Sequence, residues 1–190
     1  MFTIRHFLAL ALLLFLLASP ARARVALVYS SLDVDHFTIE IPDNWKVNVG
    51  AEPDPEVRTE EGWIIPRVVT AMPDDDTPLW FGIWVPPDVA TLAETKGYMD
   101  ALGPVLLSDV VVKKRVQTRL NNLAALHVSG TGKKEDEPMD FHAFFAQLTP
   151  KTIVIAIYIG PHATTISHGR ELAGMINTLR PAPANRGQGQ

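Results

Sequence analysis

One short stretch of the sequence decides the fold: His36-Phe37-Thr38-Ile39-Glu40-Ile41-Pro42-Asp43-Asn44-Trp45-Lys46-Val47. Before the proline, alternate residues are apolar, which is the period of a strand with one buried face: Phe37, Ile39 and Ile41. The Pro-Asp-Asn segment has turn chemistry, because proline presets φ and the Asp and Asn side chains bond their own backbone. The alternation resumes at Trp45. The stretch therefore predicts a strand, a turn and a second strand.

Residues 1–23 before this stretch have the three parts of a secretory signal peptide. A positive start with Arg5 is followed by the apolar run Phe7–Leu17 and by an Ala-x-Ala cleavage pattern that ends at Ala23. This apolar run is too short for a permanent membrane helix, which needs about 20 residues; an uncleaved N-terminal anchor is the alternative. We expect cleavage between Ala23 and Arg24, which gives a periplasmic protein with no transmembrane segment in the mature chain.

Length, charge and cysteine content limit the possible domain organisation and the possible classes of function. The 190 residues suit one domain, expected over residues 24–181, with a disordered tail at 182–190. Residues 1–23 contain two of the 17 basic residues and none of the 21 acidic ones, so their removal changes the net charge from −4 to −6. An acidic domain is unsuited to nucleic acid, which needs a basic face. The sequence has no cysteine, which excludes disulfides, thiolate chemistry and a lipoprotein anchor.

The rest of the chain predicts about eight strands, mostly joined as hairpins, and two main helices. Whether Val25–Tyr29 is a strand or an ordered lead-in stays open. The helices are expected from Thr91 to the Gly103-Pro104 stop and from Ala163 to Arg180. Further strands are expected at Gly62–Thr70, Leu79–Val85, Val110–Leu120, Leu123–Thr131, Met139–Leu148 and Thr152–Gly160. The last of these is apolar on both faces, as in a central strand covered on both sides. The predicted class is α+β, with a largely antiparallel sheet flanked by helices.

With the opening stretch at its front, this order of elements resembles the PsbP-like superfamily, which includes PsbP, DcrB and Ran-binding-protein-like members. The superfamily has the same strand, proline, small polar turn and tryptophan near its start. It ends in a C-terminal helix after an apolar strand, matched here by Thr152–Leu179. The resemblance covers roughly Val25–Pro181 and implies an α/β/α sandwich and a non-enzymatic role in binding or assembly. It implies no functional residue, because the superfamily shares no catalytic motif.

Two groups of residues have the chemistry of metal ligands. Asp74-Asp75-Asp76 offers oxygens for Ca²⁺, but it lacks the spaced ligands and distal Glu of an EF-hand loop, so a solvated hairpin tip is the preferred interpretation. His127 and His142 lie on two strands expected to pair, and they would share a transition metal if the register set them opposite each other. We predict no metal site and no cofactor.

A basic stripe is the best candidate for an interaction face. Lys113, Arg115 and Arg119 alternate along one predicted strand of an acidic protein, with Lys133 and Lys134 nearby. Such a stripe would attract an acidic partner or anionic headgroups. The alternative is the outward face of an ordinary strand.

No catalytic signature is present in the sequence. The serines lack the Gly-x-Ser-x-Gly environment, and no phosphate-binding or dinucleotide-binding loop occurs. Three tryptophans, Trp63, Trp80 and Trp84, either line a pocket or belong to the core. We therefore predict an exported protein without enzymatic activity that binds an unidentified periplasmic or membrane-associated protein. The alternatives are a periplasmic binder of a metal ion or small ligand and, third, a hydrolase that uses the histidines.

Overall fold

The structure, a computed structural model, describes residues 23–60, 62–75 and 77–183. Residues 1–22 of the predicted signal peptide and 184–190 of the predicted tail lie outside this part. The helices are α1 (Thr95–Leu106), α2 (His162–Ser167) and α3 (Gly169–Ile176). The strands are β1 (Arg24–Ser31), β2 (Val34–Pro42), β3 (Trp45–Val49), β4 (Val69–Pro73), β5 (Trp80–Trp84), β6 (Ser108–Leu120), β7 (Leu123–Lys134), β8 (Glu137–Thr149), β9 (Thr152–Gly160) and β10 (Arg180–Pro181).

These strands form two antiparallel sheets. The small sheet has the order β1-β2-β10, and the large sheet has the order β3-β4-β5-β9-β8-β7-β6. The α+β class is confirmed, and the described residues contain ten strands and three short helices rather than eight and two. None of the helices in the described ranges has the length and apolar character needed to cross a membrane.

The stretch around Pro42 passes the chain from one sheet to the other. Phe37, Ile39 and Ile41 of β2 are buried as predicted, and they belong to the small sheet. After the turn, β3 begins with the buried Trp45 at one edge of the large sheet. The apolar alternation beyond Trp45 does not mark a buried face, since Val47 and Val49 are 42% and 45% exposed.

Tight turns set the register of three hairpins. Both central residues of the β6–β7 turn, Asn121 and Asn122, have positive φ (48° and 69°), as a two-residue type I′ turn requires. The same geometry occurs at Leu32-Asp33 and at Glu135-Asp136. The sequence predicted the turn at Asn121-Asn122. The turn at Glu135-Asp136 was not predicted, because it lies inside a longer polar segment between two expected strands. Asn121 also ties its turn to the C-terminal region, because its Nδ2 donates to the carbonyl oxygens of Asn177 and Leu179 at 2.7 and 2.8 Å.

The central strand β9 is covered on both sides, as its composition predicted. Ile153, Ile155 and Ile157 point to one face and Val154 and Ala156 to the other, and all are buried. The segment before α1 and α1 itself cover the first face. There, Trp84 Nε1 donates to the Tyr98 hydroxyl at 3.0 Å, and burial raises the pKa of Tyr98 to about 12.

The second face of the large sheet is covered by the small sheet together with α2 and α3. Here α2 contacts β8 and β9, β10 contacts β8, and α3 packs on β2. Thr178, just after α3, accepts from the Glu40 N–H of β2 at 2.8 Å. A sheet therefore shares this covering layer with helices, which the simple α/β/α description leaves out.

Several predicted boundaries are wrong for identifiable reasons. The strand expected at Gly62–Thr70 begins only at Val69, and Pro66 lies in the preceding loop. Thr91 does not begin the helix, because the Glu94 carboxylate accepts from the Ala90 and Thr91 N–H groups and the Glu94 N–H donates to the Thr91 carbonyl, which folds this segment into a turn. Helix α1 starts at Thr95 and runs past Gly103-Pro104. A proline so close to the helix end removes few backbone bonds, so it does not stop the helix.

The predicted C-terminal helix is also different. It is interrupted at His168, which divides it into α2 and α3, and it ends at Ile176 rather than Arg180. Arg180 and Pro181 pair with Thr38 and Phe37 of β2, and the Ala182 N–H donates to the His36 carbonyl at 3.0 Å. The pairing thus extends to Ala182, the first residue of the predicted tail. It depends on a strand some 140 residues earlier, which local pattern cannot reveal.

Replacing Ile157 tests the importance of the doubly covered strand. Ile157 is 1% exposed at the centre of β9, so Ile157→Ala should lower the free energy of unfolding by about 2–5 kcal/mol. The matched control is Val105→Ala in α1, where the side chain is 75% exposed and the expected loss is below about 0.5 kcal/mol. Urea unfolding of the two variants would measure both values. Equal losses of unfolding free energy in the two variants would contradict the burial of Ile157 between two covering layers.

Candidate functional site

The covering layer does not reach across the whole second face of the large sheet. Where β6, β7, β8 and β9 run beyond it, a half-buried group of side chains remains in contact with solvent. The registers place them on one face, because residues paired across antiparallel strands point to the same side. We call this surface the open corner; it comprises Val116, His127, Ser129, His142, Phe144 and Tyr158.

His127 and His142 are joined by a hydrogen bond in the open corner. The register sets His127 opposite Phe144 and His142 opposite Ser129, so the two histidines are diagonal neighbours rather than direct partners. Their facing nitrogens, His127 Nε2 and His142 Nδ1, are 3.1 Å apart. The ring centroids are 5.3 Å apart and the planes differ by only 14°. The rings therefore lie edge to edge in nearly one plane, with a nitrogen of each directed at the other.

Two further rings stack on this pair from the neighbouring positions. Phe144 lies face to face with His127, with centroids 4.3 Å apart, and Tyr158 lies over His142 at 4.6 Å. Each stack joins residues that the registers place directly opposite each other. The stacking fixes the imidazole planes, so the hydrogen bond between the histidines is held in place by the pairing of three strands.

This environment favours the neutral form of both imidazoles. Burial lowers the pKa of His127 to about 4, helped by His142 and by the Lys114 ammonium. Burial also lowers the pKa of His142, although the Asp140 carboxylate opposes the shift. A neutral pair has one N–H to donate and one lone pair to accept it, whereas two imidazolium ions would face each other with two donors. The hydrogen bond between the two histidines therefore forms only while at least one ring is neutral.

The same geometry argues against a shared metal ion. Each Zn–N bond needs about 2.0–2.1 Å, so a metal between two lone pairs that point at each other needs nitrogens about 4 Å apart. The observed separation is 3.1 Å, and the stacked rings prevent rotation toward a common point off this line. Within the described residues, no group of three or more His, Asp or Glu side chains could hold a metal ion.

The predicted interaction face lies beside the open corner, on the edge strand β6. Twelve of its 13 residues are exposed, including the cations Lys113, Arg115 and Arg119. The register shifts between Val112 and Lys114, so Lys113 is the extra residue of a bulge. Arg115 and Arg119 lie opposite Val128 and Ala124 and share the α1 side of the sheet. Two of the three predicted cations are thus brought to one face.

This bulge also divides the valines of β6 between the two faces of the sheet. Val116 lies opposite His127 on the open-corner side, whereas Val112 lies opposite Gly130 on the other side. Gly130 is required there, because a Cβ would be only 2.0 Å from the Val111 carbonyl oxygen. Val110, Val111, Val112 and Val116 are all exposed, so this strand buries neither of its faces.

The other described histidines belong to separate polar pairs. His162 Nδ1 is 2.5 Å from Asp140 beside a cleft of about 450 Å³, and His168 Nδ1 is 2.9 Å from Glu171. His36 Nε2 is 3.0 Å from Ser31 Oγ, but the nearby Asp35 carboxylate bonds Ser30 instead. In the part of the chain that the structure describes, this leaves the serine and histidine without a carboxylate to orient the ring, which a catalytic triad requires.

The acidic triplet and the tryptophans fit their simpler interpretations. Asp75 accepts from the backbone N–H and the hydroxyl of Thr77, which closes the hairpin tip; Asp76 lies outside the described residues. Trp84 is buried in the core, and the Trp80 ring packs over Gly82. Trp63, in contrast, lines an apolar groove of about 280 Å³ against Tyr98 and Val105 of α1.

The four-ring cluster was missed from the sequence, although a signal for it exists. Phe144 and His142 are two residues apart on β8, so they share a face, and His127 and Tyr158 lie on its two neighbours. Finding the cluster requires the registers of both hairpins. The β7–β8 register depends on the Glu135-Asp136 turn, which the sequence analysis did not locate.

Comparison with known proteins supports the fold. No family model matches the sequence, and no curated protein matches it. The solution structure of cyanobacterial PsbP (CyanoP) from Synechocystis sp. PCC 6803 aligns with TM-score 0.52 and 9% identity over 86% of this chain and 96% of that one. A Bacteroides thetaiotaomicron protein aligns with TM-score 0.54 and 11% identity over 85% of this chain. The aligned region covers only 49% of the Bacteroides protein. The chain thus has the PsbP-like fold that its sequence suggested.

The buried histidine pair predicts a pH dependence of stability. The folded pKa values lie below the unfolded value of about 6.5, so the unfolded chain binds more protons and stability falls as the pH drops from about 6.5 toward 4. The double variant His127→Gln/His142→Gln should reduce the loss of unfolding free energy between pH 7 and 4.5 by roughly 1–2 kcal/mol, a value discounted for the solvent contact of both rings. The control is Val105→Ala, which removes no titratable group from an exposed position of α1 and should leave the loss unchanged. Urea unfolding at each pH gives the comparison; an unchanged loss in the double variant would refute this role.

Proposed function

From this PsbP-like fold and its exposed edge strand, we propose that the protein is an exported, non-catalytic binding protein that acts through contact with another protein. The proposal rests on the exposure of strand β6 to solvent. A strand of 13 residues with 12 exposed contributes little to the core, although its hairpin with β7 is long and regular after the bulge. Such a strand offers backbone groups and side chains to a partner.

The charge of β6 indicates the chemistry of the partner. Lys113, Lys114, Arg115 and Arg119 lie on a chain with a net charge of −4. A local positive stripe on a negative molecule orients an approaching partner and favours one with an acidic contact surface. The exposed valines among these cations supply apolar area, and mixed apolar and basic surfaces are typical of protein interfaces.

Two further observations support the remaining parts of the proposal. The signal-peptide pattern of residues 1–23 supports export, and strand β1 begins at Arg24, the first residue after the predicted cleavage point. The distribution of His36, His162 and His168 among separate pairs supports a non-catalytic role. A metal-binding role is less well supported, because the spacing of the His127 and His142 nitrogens does not suit a shared ion.

Charge reversal on β6 tests the proposal. We expect the protein to cross-link a specific partner in periplasmic extract, and Arg115→Glu/Arg119→Glu to reduce the yield at least tenfold, because both guanidinium groups are exposed on one face of the edge strand. Mass spectrometry with isotopic labels measures the yield.

The matched control is Lys151→Glu/Arg170→Glu. It makes the same change in net charge at exposed positions in the β8–β9 turn and in α3, and it should leave the yield within a factor of two. Equal effects of the two double variants would mean that only the overall charge matters and would count against β6 as the contact surface. Finding no specific partner with the unmodified protein would contradict the proposed function itself.

A further inference from the structure

We propose that the partner contributes an extended acidic segment, which pairs with Arg115–Leu120 of β6 as an eighth strand of the large sheet. This inference rests on the proposed function and specifies how the contact is made. Within the described residues, β6 has a neighbouring strand on one side only. Along an antiparallel edge strand, every second residue directs its N–H and C=O away from the sheet, where another extended chain can bond them.

The regular part of the edge is short and well defined. The two register shifts of β6 lie between Ser108 and Val111 and between Val112 and Lys114. From Arg115 to Leu120, each residue has a consecutive partner on β7, from Val128 to Leu123. Bulges hinder strand addition because they twist the edge and break the spacing of its backbone groups. The first half of β6 is therefore protected, and the second half is left as a template for about six residues.

The side chains of this template specify an alternating partner. Arg115, Gln117 and Arg119 point to the α1 side, whereas Val116 and Thr118 point to the open-corner side. A residue added opposite an arginine is best acidic, because opposite charges across strands attract. A residue opposite Val116 is best apolar or β-branched, since it would contact the same side of the sheet as His127 and Phe144. The matching segment therefore alternates acidic and apolar residues.

The same pattern disfavours a second copy of this chain as the occupant. If the Arg115–Leu120 segments of two molecules paired with their basic faces aligned, Arg115 and Arg119 would lie opposite Arg115, Gln117 or Arg119 of the other molecule. Like charges directly opposite each other destabilise a strand pair. The cations thus discourage self-association at this edge while they attract an acidic chain.

Synthetic peptides separate strand pairing from simple charge attraction. The probe is the capped heptapeptide Glu-Val-Glu-Val-Glu-Val-Glu, titrated into the full chain after signal removal and followed by ¹⁵N NMR. We expect sub-millimolar binding, with the largest shift changes at Arg115–Leu120. Two further peptides are N-methylated on all valines or on all glutamates, which removes the N–H donors of one edge at a time without changing the charge. In a paired strand only one of these edges faces β6. One methylated peptide should therefore lose at least tenfold in affinity while the other stays within threefold of the parent.

Each outcome decides the inference. Equal affinities of the two methylated peptides, or no binding of the parent peptide at millimolar concentration, would overturn strand addition. A cross-linked partner that still depends on Arg115 and Arg119 would then leave the proposed function intact, because a folded acidic surface can be attracted without pairing. Lys-Val-Lys-Val-Lys-Val-Lys is the charge control and should not bind. If sedimentation instead shows a dimer that Arg115→Glu/Arg119→Glu dissociates, a second copy covers this edge and the inference is wrong.

Discussion

The burial of β9 on both faces is the constraint on which the rest of this structure depends. A strand with buried isoleucines on one side and buried Val154 and Ala156 on the other requires two covering layers. The chain supplies one from α1 and the segment before it. It builds the other from β1, β2 and β10 together with α2 and α3. The crossing of the chain at Pro42, from the small sheet to the edge of the large one, makes this second layer possible.

The covering layers are narrower than the sheet that they cover. The large sheet has seven strands among the described residues. The number of buried residues per strand decreases from β9 through β8 and β7 to β6, where only Leu120 is buried. The open corner is the transition between these regions. There, aromatic and imidazole rings stack on one another and on their cross-strand neighbours instead of packing under a helix. Beyond the corner, β6 is held mainly by its hairpin with β7, and none of the other described strands pairs with its outer edge.

The sequence predicted what depends on local pattern. The buried face of β2, the central position of β9, the hairpins after residue 108 and the α+β class all follow from periodicity and turn residues, and the structure confirms them. The PsbP-like resemblance, based on the stretch around Pro42 and on the order of elements, is confirmed at the level of the fold. The basic stripe on β6 was visible because alternation of charge along a strand needs no knowledge of its neighbours.

What the sequence did not predict depends on contacts between distant residues. The bulge at Lys113 places Val112 and Val116 on opposite faces, and the Val111 carbonyl there lies close to Gly130 of the neighbouring strand. Arg180 and Pro181 are strand residues only because β2 is beside them. The four-ring cluster required two registers at once, and within it a diagonal contact between the histidines replaced the direct one that was considered. In each case the local pattern allows more than one structure, and packing selects between them.

Residue-resolved amide hydrogen exchange of the isolated protein measures directly whether β6 is an open edge. We expect an alternating pattern of exchange rates over Arg115–Leu120. Amides bonded to β7 should be protected, and those between them should exchange at nearly the rate of an unstructured chain. Protection of every amide along this stretch would show that another part of the chain, or a second molecule, already pairs with the edge. In that case β6 would not be an open edge.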